Sequence, residues 1–250
     1  MKRREFMLFG AASFAASALA APKTTRSMFC SSTWYLPTFV CHAPNNITLK
    51  VRDTDSALGR YNTIGQTKSI RMDDIVKAHG HLCDGLVFSY LQIAAGLQKL
   101  FPDGIIDRTD IRGACKNSPC MVDTLSYLTG ARINFKTLRI DPSLGSAHIL
   151  QKISTGESVK VQLAPGFFPS DLDALEKQIR GKIAKKESVT PQEIDQVEKL
   201  ANAFIKTMLN TPLDKLVKVE VLEHYLFEPI QSLDVFGNRG DVVNKHVPKS

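Results

Sequence analysis

Two stretches near the middle of the chain have the apolar spacing of helices. Residues 86–97 are apolar at nearly every position, which predicts a helix buried on all sides, with Asp84 as its N-cap. Ser118 and Pro119 form the N-cap and first-turn proline that commonly open a helix, so a second helix is expected over residues 120–128. Each predicted helix therefore begins beside a cysteine.

Short apolar segments around and after the second helix predict strands. The Ser-Thr-Gly sequence at residues 154–156 is typical of a hairpin turn. The strands are expected at residues 111–115, 132–138, 147–153 and 158–163. The order of helix, strand, helix and three strands implies the α+β class, with a small mixed β-sheet and helices packed on one of its faces.

Beyond residue 165 the apolar spacing indicates two further helices. Ser170 is expected to cap the first, and Thr190 begins a capping box with Glu193 for the second. Their apolar stripes predict a helical hairpin that packs on the same domain, although a partner surface is the alternative. Valines alternate with charged residues over 217–221, which predicts a final strand and completes a C-terminal region of residues 166–250.

The first 20 residues have the organisation of a signal peptide. A basic segment at residues 2–4 precedes a weakly apolar stretch, and residues 18–20 have the A-x-A form of a cleavage site. The stretch is shorter than the roughly 20 residues that a membrane-spanning helix needs, so no membrane anchor is expected after cleavage. The paired arginines, followed by Glu-Phe-Met, resemble a twin-arginine signal, and we therefore expect a periplasmic protein.

Residues 21–65 are rich in Ser, Thr, Pro and Asn and show no sustained period, which predicts an extended N-terminal arm. Cys30 and Cys41 lie within it. In an oxidising compartment a disulfide between them is favoured, with metal ligation as the alternative.

Composition is that of a globular protein, with 43% hydrophobic and 23% charged residues. The formal net charge is +7, but the basic residues are scattered and lack interleaved aromatic side chains. Nucleic acid is therefore not an expected partner.

The strongest candidate for chemistry is the run His79-Gly80-His81-Leu82-Cys83. Extended backbone places alternate side chains on one side, so His79, His81 and Cys83 are able to face a common point. The helix that follows favours a thiolate at its N-terminus. One thiolate with one or two neutral imidazoles suits zinc or another divalent transition metal.

Cys120 strengthens this hypothesis because it also lies in the first turn of a predicted helix. Asp123, one turn later, is a candidate to bind the metal, orient a histidine or act as the acid–base residue; a carboxylate that merely complements the helix dipole is the alternative. A Cys83–Cys120 disulfide is the main competing interpretation, but it gives the two histidines no role. The chain contains no C-x-x-C-H, Walker A, G-x-G-x-x-G or G-x-S-x-G motif.

Three runs resemble the E-subunit family of formylmethanofuran dehydrogenase: residues 79–83, residues 120–130 and the hairpin at 155–159. The resemblance implies a compact α+β fold over residues 66–165 and a metal site, usually zinc, with ligands at His79, His81, Cys83 and Cys120. Asp84 replaces the proline that usually follows the first cysteine in the family, and residues 166–250 lack the cysteines of a zinc-ribbon tail.

Three functions are open from the sequence. The first is an exported metalloprotein with an open coordination position for water or a small-molecule substrate, including an enzyme that uses Asp123. The second is a non-enzymatic metal carrier or sensor. The third is a disulfide-stabilised structural domain. A homodimer formed through the helical hairpin is also left open.

Overall fold

The computed structural model describes residues 35–52 and 67–229, which belong to one compact unit. The predicted signal peptide and Cys30 lie outside these ranges. Cys41 is bonded in a disulfide, and its predicted pairing with Cys30 stays a prediction. None of the helices in the described ranges has both the length and the apolar character needed to cross a membrane.

The described elements alternate between helices and short strands. The helices are α1 (Thr38–Cys41), α2 (Met72–His79), α3 (Asp84–Leu100), α4 (Pro119–Thr129), α5 (Ser170–Ala184), α6 (Pro191–Asn210) and α7 (Leu213–Leu216). The strands are β1 (Leu49–Arg52), β2 (Lys68–Ile70), β3 (Ile105–Asp107), β4 (Ile111–Cys115), β5 (Leu138–Ile140), β6 (His148–Lys152), β7 (Ser158–Leu163) and β8 (Val217–Leu222).

The main sheet has five strands in the order β5-β4-β6-β7-β8, of which only the β4–β5 pair is parallel. This confirms the predicted α+β class with a mixed sheet. Helix α3 lies across β6 and β7, and it comes so close that a Cβ at Gly96 would meet Leu150 Cδ1 at 2.7 Å and Val161 Cγ1 at 3.0 Å. A larger residue at this position would push the helix off the sheet.

A second sheet, in the order β2-β1-β3, was not predicted. Its central strand lies in the segment expected to be an unpatterned arm, where Leu49 and Val51 are buried with period two. Four residues are too few for this alternation to stand out in the sequence. Asn45, just before the strand, donates side-chain hydrogen bonds to the carbonyls of Met208 at 2.7 Å and Thr211 at 2.5 Å.

Two local predictions differ from the structure. The strand expected at 132–138 is a 3-10 turn at Ile133–Phe135, followed by β5. Phe135 is 74% exposed and Lys136 has a φ of 57°, so this segment bends away from the sheet. The N-cap of α3 is Cys83 rather than Asp84.

The C-terminal region contains the expected helical hairpin and final strand. Thr190 and Glu193 form the predicted capping box at the start of α6, with backbone-to-side-chain bonds of 3.0 and 3.2 Å. Glu193 also accepts a hydrogen bond from Lys182 at 2.5 Å, which joins α6 to α5. Helix α6 lies against α3, and the hairpin therefore packs beside the helix whose N-terminus carries Cys83.

Candidate metal centre

The loop between α2 and α3 carries the histidine-rich run. His79 is the last residue of α2, and Gly80 ends the helix in the left-handed region with a φ of 105°. Glycine adopts this conformation without the strain that a side chain would add. The chain then turns over four positions to Cys83, the N-cap of α3, so two imidazoles and a thiol are held between two helix ends.

Cys120 approaches from the other side, in the first turn of α4. The N-terminus of α3 makes room for it because position 85 has no side chain. A Cβ placed on Gly85 would lie 3.1 Å from Cys120 Sγ and 3.2 Å from Cys120 Cβ. These distances are tighter than ordinary van der Waals contact, so a side chain at position 85 would displace Cys120 by a few tenths of an ångström.

The structure brings His79, Cys83 and Cys120 together. The two sulfur atoms are 3.4 Å apart, and Cys83 Sγ lies 3.9 Å from His79 Nε2. One ligand atom from each residue lies within 4.8 Å of the others. Neither cysteine is in a disulfide, so the Cys83–Cys120 disulfide considered from the sequence is not formed.

This donor set fits a tetrahedral zinc ion. Zinc–sulfur bonds of about 2.3 Å and zinc–nitrogen bonds of about 2.0–2.1 Å put neighbouring ligand atoms of a tetrahedron about 3.4–3.8 Å apart. The sulfur–sulfur and sulfur–nitrogen separations of 3.4 and 3.9 Å are close to those edges. Thiolates and imidazole are also the ligands that zinc prefers.

Asp123 orients His79. Its Oδ2 lies 2.8 Å from His79 Nδ1, so the ring donates to the carboxylate and directs Nε2 towards the two sulfurs. Only 3% of the His79 side chain is exposed, whereas 43% of the Asp123 side chain is. The hydrogen bond to Asp123, followed by that to Cys120, raises the pKa of His79 to about 9. Carboxylate–histidine pairs of this kind commonly fix metal-binding rings.

The two thiols are electrostatically unequal. Hydrogen bonding from Cys83 and His79 lowers the pKa of Cys120, against the opposing effect of burial. The pKa of Cys83 is raised by its contact with Cys120 and by burial, although Leu86 N–H donates to its sulfur at 3.4 Å. The cluster therefore favours a single deprotonated sulfur, and the lower pKa lies at Cys120.

His81 is nearby but is not one of the three converging residues. Its ring centroid lies 4.7 Å from that of His79, with the planes tilted by 37°. The side chain is exposed, unlike that of His79. Its charge contributes to the lowered pKa of Cys120, which places it within electrostatic reach of the sulfurs.

Two carboxylic residues near the cluster, Asp84 and Glu176, were not identified as site residues from the sequence. Burial, followed by the charge of Glu176, raises the pKa of Asp84 to about 6. Glu176 belongs to α5, so the C-terminal hairpin contributes to the surroundings of Cys83. Only tertiary packing reveals this, because the two carboxyl groups are 92 positions apart in the chain.

Cys115 and two other histidines of the described residues lie outside this three-residue cluster. Cys115 is buried, and burial raises its pKa to about 12. His148 is also buried, within β6. His224 follows β8 in an exposed position with a φ of 56°.

A family model described as FmdE, Molybdenum formylmethanofuran dehydrogenase operon, matches residues 78–218, more than half of the chain. The chain belongs to the FmdE family. The FmdE match begins at the histidine-rich run and extends through the helical hairpin, well beyond the segment whose motifs carried the resemblance. The FmdE region thus contains all three converging residues together with Asp123.

Among solved structures, the chain is similar to a tungsten formylmethanofuran dehydrogenase FmdE-like protein from Syntrophus aciditrophicus. The identity is 17% and the TM-score 0.37, over 62% of this chain and 74% of the other. No protein of curated function matches the chain.

Proposed function

We propose that this protein is an exported, periplasmic zinc protein whose ion is held by His79, Cys83 and Cys120. The convergence of one imidazole and two sulfurs within 4.8 Å carries the proposal. Two of the ligands lie at helix N-termini, where the dipole and free N–H groups stabilise thiolates. His79 is already aimed at the site by its bond to Asp123.

His81 is the proposed fourth ligand. Its ring is close to that of His79 but exposed, so a rotation of the side chain would add it to the set. When His81 is not bound, the fourth position is available to water or a substrate, as in catalytic zinc sites. Zinc bound in this way supplies Lewis acidity and lowers the pKa of a bound water to near neutrality.

For an enzymatic role, the chain's own contribution is positioning and proton handling. Asp123 Oδ2 is engaged with His79, while the exposure of the side chain leaves the carboxylate in contact with solvent. We therefore assign Asp123 first to orienting His79, and an acid–base role is secondary to that. Asp84, largely buried beside Cys83, is a second carboxyl group able to hold a proton near the site.

A metal carrier or sensor is the second candidate function. It is favoured by the exposure of His81 and the partial exposure of both cysteines, which would let a competing ligand reach the ion. Zinc transfer to a chelator distinguishes the two. Release within minutes supports a carrier, whereas a half-life of many hours supports a resident cofactor.

The decisive test is the metal content of the mature protein, purified from the periplasm and measured by mass spectrometry. We expect one equivalent of zinc. Cys120→Ser should remove most of it, while Cys115→Ser, a change in a buried thiol outside the cluster, should retain it. Zinc-free parent protein, or unchanged zinc in Cys120→Ser, would refute the ligand assignment.

Export is tested separately by changing Arg3 and Arg4 together to lysine. The precursor should then accumulate in the cytoplasm, because the arginine pair is the feature that carries the proposed twin-arginine signal. Mature protein that still reaches the periplasm at the parental level would rule out this route.

A further inference from the structure

A second polar pair is buried between α3 and the main sheet. His148 is the first residue of β6 and faces Cys115 of β4 in the register of the strands. Its Nδ1 lies 2.8 Å from Oε1 of Gln92, which extends from α3. Both side chains are 0% exposed. Gln92 is seven residues beyond Gly85, so the pair lies about 10 Å along the helix from the sulfur cluster.

Each member of the pair has a nitrogen without a partner. Gln92 Nε2 and His148 Nε2 are buried and make no hydrogen bond to any other described residue. Polar atoms buried in native proteins almost always have a partner, because an unpaired one loses its bonds to solvent without replacement. Each of the two atoms therefore indicates a bound partner beyond the described side chains.

The ligand must be neutral. Complete burial lowers the pKa of His148 to about 3, so the ring is an uncharged imidazole. The thiol of Cys115, opposite it in β4, is also uncharged because burial raises its pKa to about 12. One imidazole and one amide, without a thiolate or carboxylate, make a poor metal site. Neither side chain of the pair carries a positive charge, so the pair would not bind an anion.

The ligand must also donate and accept. If His148 Nδ1–H donates to Gln92 Oε1, then His148 Nε2 is left as an acceptor and Gln92 Nε2 as a donor. If the amide is turned over and donates to Nδ1 instead, His148 Nε2 becomes a donor and the amide oxygen an acceptor. Either arrangement leaves one donor and one acceptor to be satisfied, and a small molecule that can both donate and accept suits both of them.

We propose that His148 and Gln92 form an internal binding site for water, with an ordered molecule hydrogen-bonded to each of their two remaining polar atoms. Water satisfies both arrangements and is small enough for a fully buried position. The water is a fixed part of the interior and does not depend on whether zinc binds at the cluster.

The first test is a crystal structure of the mature protein at a resolution that shows ordered water. We expect density within about 2.7–3.2 Å of Gln92 Nε2 or Oε1 and of His148 Nε2. Absence of density there would overturn the proposal. So would an anomalous metal signal at the site, or side-chain rotation that pairs the two atoms with other protein groups.

The second test is water-oxygen magnetic relaxation dispersion, which counts internal waters with long residence times. The variant Gln92→Leu/His148→Leu replaces both polar groups with apolar ones and should lose at least one such water. Gln98→Leu, a change on the same helix outside the pair, serves as the control and should lose none. An unchanged count in a folded double variant would overturn the proposal, and the structure of the parent protein decides it if that variant does not fold.

Discussion

Replacement of Asp123 by Asn should change the number of protons released when zinc binds. Asparagine has nearly the same shape and can still accept the bond from His79 Nδ1, but it lacks the charge that favours an imidazolium. The exchange therefore lowers the pKa of His79 from its value of about 9 towards the ordinary 6.5. A zinc ligand must be neutral imidazole, so this pKa fixes how many protons leave.

The magnitude follows from the protonation states of the three ligands. At pH 7.5 a histidine with a pKa of about 9 is about 97% protonated, and one with an ordinary pKa about 10%. Cys83 is a thiol because its pKa is raised, and Cys120 is already a thiolate because its pKa is lowered. The parent protein should release about two protons per zinc, and Asp123→Asn a number closer to one.

Calorimetric titration with zinc in several buffers of different ionisation enthalpy gives the proton count directly. The slope of log affinity against pH provides a second reading. This slope should be about two near pH 7 in the parent protein, so the zinc affinity falls about 100-fold for each unit of acidification. The slope should decrease above pH 9, because His79 has then already lost its proton before zinc binds.

Asp173→Asn is the matched control. This aspartate is 47% exposed on α5, where it pairs with Lys177 at 2.7 Å, and its replacement should leave the proton count unchanged. Equal proton release from the parent and from Asp123→Asn would refute the assignment of the raised pKa to Asp123. Loss of binding altogether would instead point to Asp123 as a direct ligand.

Three further outcomes follow from close contacts. Gly85→Ala should weaken zinc binding at least about 10-fold in chelator competition, because its Cβ would lie 3.1 Å from Cys120 Sγ, whereas Gly181→Ala, with no atom within 4 Å of the new Cβ, should have no effect. A disulfide oxidant should join Cys83 to Cys120, whose sulfurs are 3.4 Å apart, and release the zinc; a metal-sensitive dye would show one equivalent, and none would contradict the ligand set. Gly96→Ala should lower the free energy of unfolding in urea by about 1–3 kcal/mol, since its Cβ would lie 2.7 Å from a leucine methyl of β6, and unchanged stability would show that α3 shifts freely.

The helices and strands around the site could be predicted from the sequence because local sequence signals mark where they begin and end. The run of apolar residues in α3, the Ser118-Pro119 start of α4 and the hairpin turn before β7 all gave elements close to those observed. Strand β1 was missed because four residues with two apolar positions are not distinguishable from a polar loop. Its burial depends on β2 and β3, which pair with it from distant parts of the chain.

The ligand set was partly accessible in the same way. Spacing indicated that three side chains of the run at 79–83 share one side, and it grouped His81 with them. In the structure His79 ends a helix and Gly80 reverses the chain, so the extended geometry assumed for the run does not hold. The contribution of Glu176 from α5 had no sequence signal, because helix packing alone brings that carboxylate towards Asp84.

The charges within the cluster explain how the site stays assembled before an ion arrives. The C-terminal end of α2 favours a positive charge at His79, and the N-terminal end of α4 favours a negative one at Cys120. Their interaction, which contributes to the shifted pKa of each, attracts imidazolium and thiolate towards the point where the three side chains converge. If the proposed zinc binds there, it would replace protons on ligands that already lie close together. The helix ends around the site should therefore move little when zinc binds. The free energy of zinc binding should depend on pH far more than on rearrangement of the chain.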